Sequence, residues 1–240
     1  MKLQHYLSKN HIFSRREADR LISQDFVTVD GVVVNDSLFQ IEPDHEVGFS
    51  NKIHDYAYSL GVVLVNKPRG VWTNCKQGSG EKEVVDLLPI RFKHYSSVGR
   101  LDKDSEGLIL FTNDGVFANQ FLNSEEVHER EYLVTTKKPL SSKQQTQLEN
   151  GVFLKDGITK PCRVMELKRG HYRFVLTEGK NRQIRRMVEA CNTYVTGLKR
   201  VIFGSYRLGA IVPGQYKYQS LRDAFYDRVN QLGLTLPPKV

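Results

Sequence analysis

The sequence has 240 residues, 40% of them hydrophobic, and a formal net charge of +8. This length suits one or two domains, and this composition excludes wholesale disorder. It contains no run of the roughly 18 to 20 apolar residues that a membrane helix needs, and no signal-peptide pattern opens it, so we expect a cytoplasmic protein. The basic excess predicts an anionic partner, of which nucleic acid is the commonest.

The cysteines and histidines predict no metal site. Cys75, Cys162 and Cys191 are too far apart in sequence to form a CxxC pair, and no HExxH segment occurs. An odd number of cysteines is typical of a reducing compartment, where thiols stay free.

Charge is divided unevenly along the chain. Residues 1–55 carry a net charge of −3 and residues 56–240 a net charge of +11. The predicted elements change character at the same place. We therefore expect a small N-terminal domain at 1–52, a polar linker at 53–59 and a larger domain at 60–240.

The N-terminal part predicts two short helices followed by a hairpin. The second helix begins at a capping box, in which Ser14 and Glu17 each bond the other's backbone amide. The β-rich residues 26–34 surround Asp30-Gly31, a dipeptide that favours a tight hairpin turn.

The larger part mixes short strands and short helices without regular alternation. This pattern predicts an α+β fold with a mixed, largely antiparallel sheet and flanking helices rather than a doubly wound parallel sheet. The predicted strands are 62–65, 107–112, 132–136 and 172–177, and the predicted helices are 116–122 and 183–191.

Three carboxylates lie within five residues of an acidic loop, residues 99–107, directly before a predicted buried strand. They are Asp102, Asp104 and Glu106. A loop that enters a rigid strand is a good platform for a catalytic carboxylate. A solvated acidic turn would show the same pattern, so the spacing by itself does not decide.

A basic cluster follows near residue 180. On a helix, Arg182, Arg185 and Arg186 share one face, opposite the apolar Ile184 and Met187. Such a face can bind phosphates or pair with a buried carboxylate. A solvated basic surface is the alternative interpretation.

Four segments, in this order, resemble the motifs of the RsuA-type pseudouridine synthases, which modify uridines in ribosomal RNA. They are Asn66-Lys67-Pro68-Arg69-Gly70, the acidic loop running on to Gly115, Glu131-Tyr132-Leu133-Val134, and Glu178 to Met187 followed by Leu198-Lys199-Arg200. The first 50 residues resemble an S4 RNA-binding module. The resemblance covers nearly the whole chain and implies the pseudouridine synthase fold.

The resemblance also implies site residues and a reaction without a cofactor. Asp102 matches the nucleophile, which attacks either the sugar or the base, and Arg185 matches the arginine that keeps it charged. Tyr132 matches a tyrosine that stacks on the extruded uracil and assists proton transfer, and Leu198 an apolar wall. Arg100 would support the flipped nucleotide.

Further basic and polar residues are predicted to contact RNA. In the motifs these are Lys67, Arg69, Arg182, Gln183, Arg186, Lys199 and Arg200; in the S4-like module, Arg15 and Arg16, with Lys9 and Arg20 in the same patch. The expected partner is ribosomal RNA, with the large subunit favoured and transfer RNA left open. We expect a monomer.

Two other functions stay open at this point. One is a non-catalytic RNA-binding or ribosome-assembly protein, although such a protein has no need of Asp102, Tyr132 and Arg185 together. The other is a hydrolase that uses the Asp102 and Asp104 pair, which fits poorly because carboxylates on one loop rarely flank a bond.

Overall fold

The computed structural model describes residues 1–75, 80–123 and 127–238. Short helices and short strands alternate irregularly along the chain. The helices are α1 Leu3–Lys9, α2 Arg15–Ser23, α3 Lys52–Ser59, α4 Gly115–Asn123, α5 Ser142–Asn150, α6 Gln183–Glu189 and α7 Arg222–Gln231, with 3-10 turns at Val84–Leu87 and Ile90–Phe92. The strands are β1 Val27–Val29, β2 Val32–Val33, β3 Val47–Phe49, β4 Gly61–Lys67, β5 Ser96–Val98, β6 Glu106–Thr112, β7 Arg130–Thr136, β8 Phe153–Leu154, β9 Gly157–Ile158, β10 Arg163–Lys168, β11 His171–Leu176, β12 Val195–Phe203, β13 Tyr206–Arg207 and β14 Tyr216–Ser220. None of the helices formed by these residues is long and apolar enough to cross a membrane.

The chain divides into two compact units. The first unit comprises Met1–Val62, Thr112–Gln120 and the described residues from Tyr218 onward, and the second comprises Val63–Phe111 and Phe121–Lys217. The C-terminal helix α7 therefore groups with the N-terminal residues, which the sequence did not predict. The predicted domain limits at 52 and 60 stay predictions.

Aromatic side chains form much of the interior of the first unit. Phe13, Phe49, Tyr56 and Phe225 lie with neighbouring ring centroids 5.6 to 5.9 Å apart, in edge and stacked pairs. Burial raises the pKa of the Tyr56 hydroxyl far above its usual value. These rings bring elements from opposite ends of the chain into one core.

The predicted hairpin in the first unit is confirmed. β1 pairs antiparallel with β2 across Asp30 and Gly31, which both have positive φ, at 50° and 75°. The capping box is half formed: the Glu17 amide donates to Ser14 Oγ, but the Glu17 carboxylate accepts from Arg20 instead of returning to the Ser14 amide.

The segment predicted as a polar linker is helix α3. Its Ile53 and Ala57 are fully buried. These two residues are one helical turn apart, so they pack side by side, while Lys52, Asp55 and Ser59 are exposed. Two apolar positions in eight residues were too few to show this period in the sequence.

Most strands of the second unit join one sheet, in the order β10-β11-β7-β12-β6-β4, with β13 beside β12 and β5 beside β6. The pairs from β10 to β12 are antiparallel, and β12 runs parallel to β6. The predicted mixed, largely antiparallel α+β architecture is confirmed. Tyr132 on β7 packs against two apolar clusters, one around Tyr172 and Met187 and the other around Ile109 and Phe111.

Candidate active site

Backbone hydrogen bonds hold the acidic loop in place around Asp102. The Leu101 amide donates to Thr73 Oγ at 3.0 Å, and the buried Thr73 hydroxyl donates to the Leu101 carbonyl at 2.8 Å. The Ser105 amide then donates to the Asp102 carbonyl at 3.0 Å, which closes a turn. The position of the Asp102 backbone is thus fixed on both sides.

Lys67, at the end of β4, lies inside the protein beneath this loop. Its ammonium donates to the carbonyl oxygens of Pro68 at 3.1 Å, Lys103 at 3.2 Å and Ser105 at 2.6 Å. Burial lowers the pKa of Lys67 to about 8, against the opposing effect of nearby carboxylates, chiefly Asp104. The predicted phosphate contact of Lys67 is wrong, because the residue is fully buried.

Two arginines contact the Asp102 carboxylate. Oδ2 of Asp102 lies 3.4 Å from Arg182 Nη1 and 3.6 Å from Arg185 Nε. Arg185 Nη2 also donates to the Asp104 carbonyl at 3.1 Å and to Ser105 Oγ at 3.0 Å. Arg185 therefore connects the carboxylate to the loop that carries it.

Burial lowers the pKa of the Arg185 guanidinium, and the positive charges of Arg182 and Arg69 add to this effect, while Asp104 and Asp102 oppose it. A guanidinium stays protonated in spite of such a shift. The predicted Arg185–Asp102 ion pair is present as a close charge contact, although its distance is longer than that of a hydrogen bond.

The predicted common face of three arginines is divided in the structure. Arg182 precedes α6 with a left-handed backbone, φ 46°, and reaches both Asp102 and Asp104. Arg186 instead makes a bidentate pair with Asp156, at 2.6 and 3.0 Å. Helix α6 begins at Gln183, as predicted, so Arg182 lies before it and does not belong to the helical face assumed for the three arginines.

A cleft that is partly open to solvent lies over Asp102. Tyr132 and the buried Leu198 form an apolar part of its wall, and the exposed Arg100 lies at its edge. The full lining is Arg100, Leu101, Asp102, Ser105, Tyr132, Leu176, Glu178, Gly179, Lys180, Arg182, Gln183, Ile184 and Leu198. The cleft unites a carboxylate, a phenol, an apolar surface and several cations.

Two other residues that were predicted to contact RNA are buried. Arg200 is 3% exposed, and its Nε donates to the Leu108 carbonyl at 2.7 Å, so its predicted phosphate contact is wrong. Gln183 lines the cleft, but its amide is engaged with Glu178 Oε1 at 2.7 Å and with the Lys180 amide at 2.9 Å. It organises the turn before α6.

The other residues that were predicted to contact RNA have side chains that are at least partly exposed to solvent. Arg69, Arg15 and Arg16 are exposed, and Lys199 is half-buried on β12. Arg20, from the same N-terminal patch, is paired with Glu17 at 2.7 Å.

Sequence reasoning missed the residues that support the loop. Thr73 and Ser105 carried no signal, because a buried hydroxyl is recognisable only from its distant partner. For Lys67 a signal existed: the apolar run Val62–Val65, which is typical of an interior strand, ends two residues before it.

Comparison with known families identifies this arrangement. The family model described as RNA pseudouridylate synthase matches residues 61–190, and the S4 domain model matches residues 1–47. The chain belongs to the RNA pseudouridine synthase family, in its RsuA-type branch with an N-terminal S4 domain.

Curated relatives agree with this assignment. The dual-specificity RNA pseudouridine synthase RluF of Escherichia coli is 34% identical over 221 residues, which cover 90% of this chain and 74% of the relative. The uncharacterized RNA pseudouridine synthase YtzG of Bacillus subtilis is 33% identical, covering 90% of this chain and 94% of the relative. The ribosomal large subunit pseudouridine synthase B of Pseudomonas aeruginosa is 33% identical, covering 92% and 60%.

A solved structure supports the fold. A crystal structure of a pseudouridylate synthase matches with a TM-score of 0.66 and 24% identity, covering 95% of this chain and all of the other.

Family membership also decides between the functions left open by the sequence. The protein is an RNA pseudouridine synthase, an isomerase, rather than a hydrolase or a binding protein.

Proposed function

We propose that the protein isomerises a specific uridine to pseudouridine in ribosomal RNA, with the large-subunit RNA favoured and Asp102 as the nucleophile. The observation that carries the proposal is the Asp102 carboxylate in a cleft, contacted by Arg182 and Arg185 and shared with Tyr132. The large-subunit preference is supported by the relative from Pseudomonas aeruginosa, whose name states that substrate. Transfer RNA is the alternative substrate.

The chemistry needs an ionised carboxylate and a way to hold a detached base. The N1–C1′ bond of uridine breaks, the uracil turns, and a C5–C1′ bond forms; C5 loses its proton and N1 gains one. Arg182 and Arg185 place positive charge against the Asp102 carboxylate. Because reactant and product are isomers, the reaction consumes no oxidant or reductant.

The cleft walls supply the second requirement. Extruding a base from its stack costs a few kcal/mol. The Tyr132 ring and the Leu198 side chain offer apolar surface to the extruded uracil, and the Tyr132 hydroxyl is suited to proton transfer. Arg100, exposed at the cleft edge, is placed to contact the flipped nucleotide or its phosphate.

Exposed cations would supply affinity rather than sequence choice. In the second unit these are Arg69 and Arg182, together with the half-buried Lys199. In the predicted N-terminal domain, residues 1–52, we assign the RNA contact to Arg15 and Arg16. We propose that the protein acts as a monomer.

The test is carbodiimide-adduct primer extension along both ribosomal RNAs. It compares cells with the wild-type chain, cells lacking it, and cells with Asp102→Asn or Glu129→Gln. Glu129 is a matched control, because its carboxylate is exposed and pairs with Arg163 outside the cleft lining. We expect one stop that is lost in the deletion and in Asp102→Asn but retained in Glu129→Gln. If no stop in either RNA depends on the chain, the ribosomal substrate is refuted and transfer RNA is probed next.

A further inference from the structure

A short hairpin in the second unit exposes two apolar side chains. β8 and β9 pair antiparallel, with Phe153 directly opposite Ile158. Phe153 is 82% exposed and Ile158 is 64% exposed. Their neighbour Leu154 turns the other way and joins the apolar core. The hairpin is thus fixed on one face and presents an apolar pair on the other.

One lysine connects this hairpin to the cleft. Lys180 Nζ donates to the carbonyl oxygens of Asp156 at 3.3 Å, Gly157 at 3.3 Å and Ile158 at 2.9 Å. Lys180 itself lines the cleft that contains Asp102. The hairpin turn is therefore held by hydrogen bonds from a residue that lines the cleft.

The charge of the hairpin favours an anionic partner. Its one acidic residue, Asp156, is neutralised by the bidentate pair with Arg186. Lys155 within the hairpin and Lys160 directly after it are exposed. An exposed aromatic ring beside exposed lysines is the combination that binds single-stranded nucleic acid, in which bases stack on the ring and cations contact phosphates.

We propose that this hairpin is a base-stacking element, in which Phe153, supported by Ile158, stacks on an unpaired base of the substrate RNA near the target uridine, while Lys155 contacts an adjacent phosphate. The inference rests on the proposed function, because the RNA is taken to enter the cleft. Extruding the uridine leaves a neighbouring base without its stacking partner, and Phe153 replaces that lost contact.

The binding test uses protein-free transcripts of 23S and 16S ribosomal RNA, with Asp102→Asn as the background so that no turnover occurs. The variants are Phe153→Ala, Phe153→Trp and Ile158→Ala. Ile90→Ala is the matched control, because Ile90 is 85% exposed and does not line the cleft. Loss of a base–aromatic stack corresponds to roughly 5- to 150-fold weaker binding.

We expect Phe153→Ala to raise Kd about tenfold, Ile158→Ala to raise it less, and Phe153→Trp to keep wild-type affinity. Ile90→Ala should leave Kd within about twofold of the background. In the active enzyme, Phe153→Ala should raise KM and leave kcat at saturating RNA nearly unchanged, because the hairpin does not touch the reacting atoms. Photocross-linking of 4-thiouridine-substituted transcript should label the peptide that contains residues 153–158.

Each other result has a definite meaning. Unchanged Kd in both alanine variants, with no cross-link in that peptide, overturns the inference. A loss of self-association in Phe153→Ala, without a change in Kd, also overturns it and makes the hairpin an interface between copies. If the hairpin contributes to binding but the wild-type enzyme forms no pseudouridine in either transcript, the proposed ribosomal substrate fails, and only the RNA-stacking role of the hairpin stands. If neither transcript binds, both fail.

Discussion

The ammonium of Lys67 donates a 2.6 Å hydrogen bond to the carbonyl oxygen of Ser105, a residue 38 positions away in sequence and directly after the Asp102 turn. Two further carbonyls, those of Pro68 and Lys103, accept from the same ammonium. A single buried charge thus joins the end of β4 to the loop that carries the proposed nucleophile.

Replacing Lys67 with Met should therefore impair catalysis more than RNA binding. The variant leaves three carbonyls without their donor, at a cost of about 3 kcal/mol of unfolding free energy. We expect kcat to fall at least about tenfold while Kd for RNA changes little, because Nζ faces inward. Urea denaturation and single-turnover rates measure the two effects. A Kd that rises as much as kcat falls would show that Lys67 binds RNA after all.

The lowered pKa of Lys67 predicts an alkaline limb in the pH–rate profile. Above about pH 8 the folded protein begins to lose this proton, and with it one of the hydrogen bonds that hold the loop. We expect kcat to decline there in the wild type and to stay flat over the same range in Lys67→Arg, whose guanidinium keeps its charge.

The unfolding free energy should rise with pH in the range where kcat falls. Between about 8 and the unperturbed value of 10.5, the unfolded chain binds more protons at Lys67 than the folded one, so this group makes the unfolding free energy rise with pH. The free-energy cost of burying the charged Lys67 ammonium is fully present below about pH 8 and decreases as the pH rises to 10.5. Urea denaturation of wild type and Lys67→Arg across this window should give a steeper positive slope in the wild type. Equal slopes would contradict the assignment.

Substitution of Arg185 should chiefly impair catalysis, whereas substitution of Arg182 should chiefly impair RNA binding. The Arg185 side chain is 11% exposed and contacts Asp102, Asp104 and Ser105, whereas that of Arg182 is 46% exposed. A lysine cannot make these divergent contacts at once, so Arg185→Lys should lower kcat by about a hundredfold or more. Arg182→Ala should chiefly weaken RNA binding and reduce the salt dependence of log Kd by about one unit of slope. Titrations at several salt concentrations, with single-turnover rates, separate the two; identical phenotypes would refute the division.

Gly107 is required by a close backbone approach. It has φ 101°, and a Cβ there would lie 2.2 Å from the Arg200 carbonyl oxygen on the neighbouring strand β12. Gly107→Ala should therefore cost about 3 kcal/mol or more of unfolding free energy, from strain and overlap together. Gly209→Ala is the control, because Gly209 also has positive φ, 56°, but open space around it, and should cost only about 1 kcal/mol. Equal costs in chemical denaturation would show that the strand contact relaxes.

A buried ion pair stabilises the first unit. Arg228 Nη2 lies 2.7 Å from Asp114 Oδ2, with the two side chains 17% and 5% exposed, and Asp114 also accepts from the amides that begin α4. Arg228→Met leaves a buried carboxylate unpaired and should cost about 3 kcal/mol. Arg222→Met removes an exposed pair with Asp223 and should leave the unfolding free energy nearly unchanged. If both variants lose a comparable amount of unfolding free energy, Arg228 contributes through the packing of its side chain on α7 and not through its charge.

Local sequence patterns were sufficient to predict several elements of the fold. The hairpin turn at Asp30-Gly31 follows from backbone preferences of two adjacent residues, and the strand β6 from an unbroken apolar run. The acidic loop with Asp102, and with it the family, was likewise contained in a contiguous motif. Helix α3 was missed because the burial of Ile53 and Ala57 depends on the elements that pack over them.

The tertiary structure decided which charged side chains are available to RNA. Lys67, Arg200 and Arg186 are indistinguishable in the sequence from the exposed Arg69 and Arg182. Burial of Arg200 depends on the carbonyl of Leu108, 92 residues away, and Arg186 is engaged by Asp156 on a separate hairpin. A charged side chain lies inside a protein only where fixed partners replace its water. Strand pairing and loop packing bring those partners together. The sequence therefore specifies the reactive groups, whereas the fold determines which cations support the acidic loop and which face the substrate.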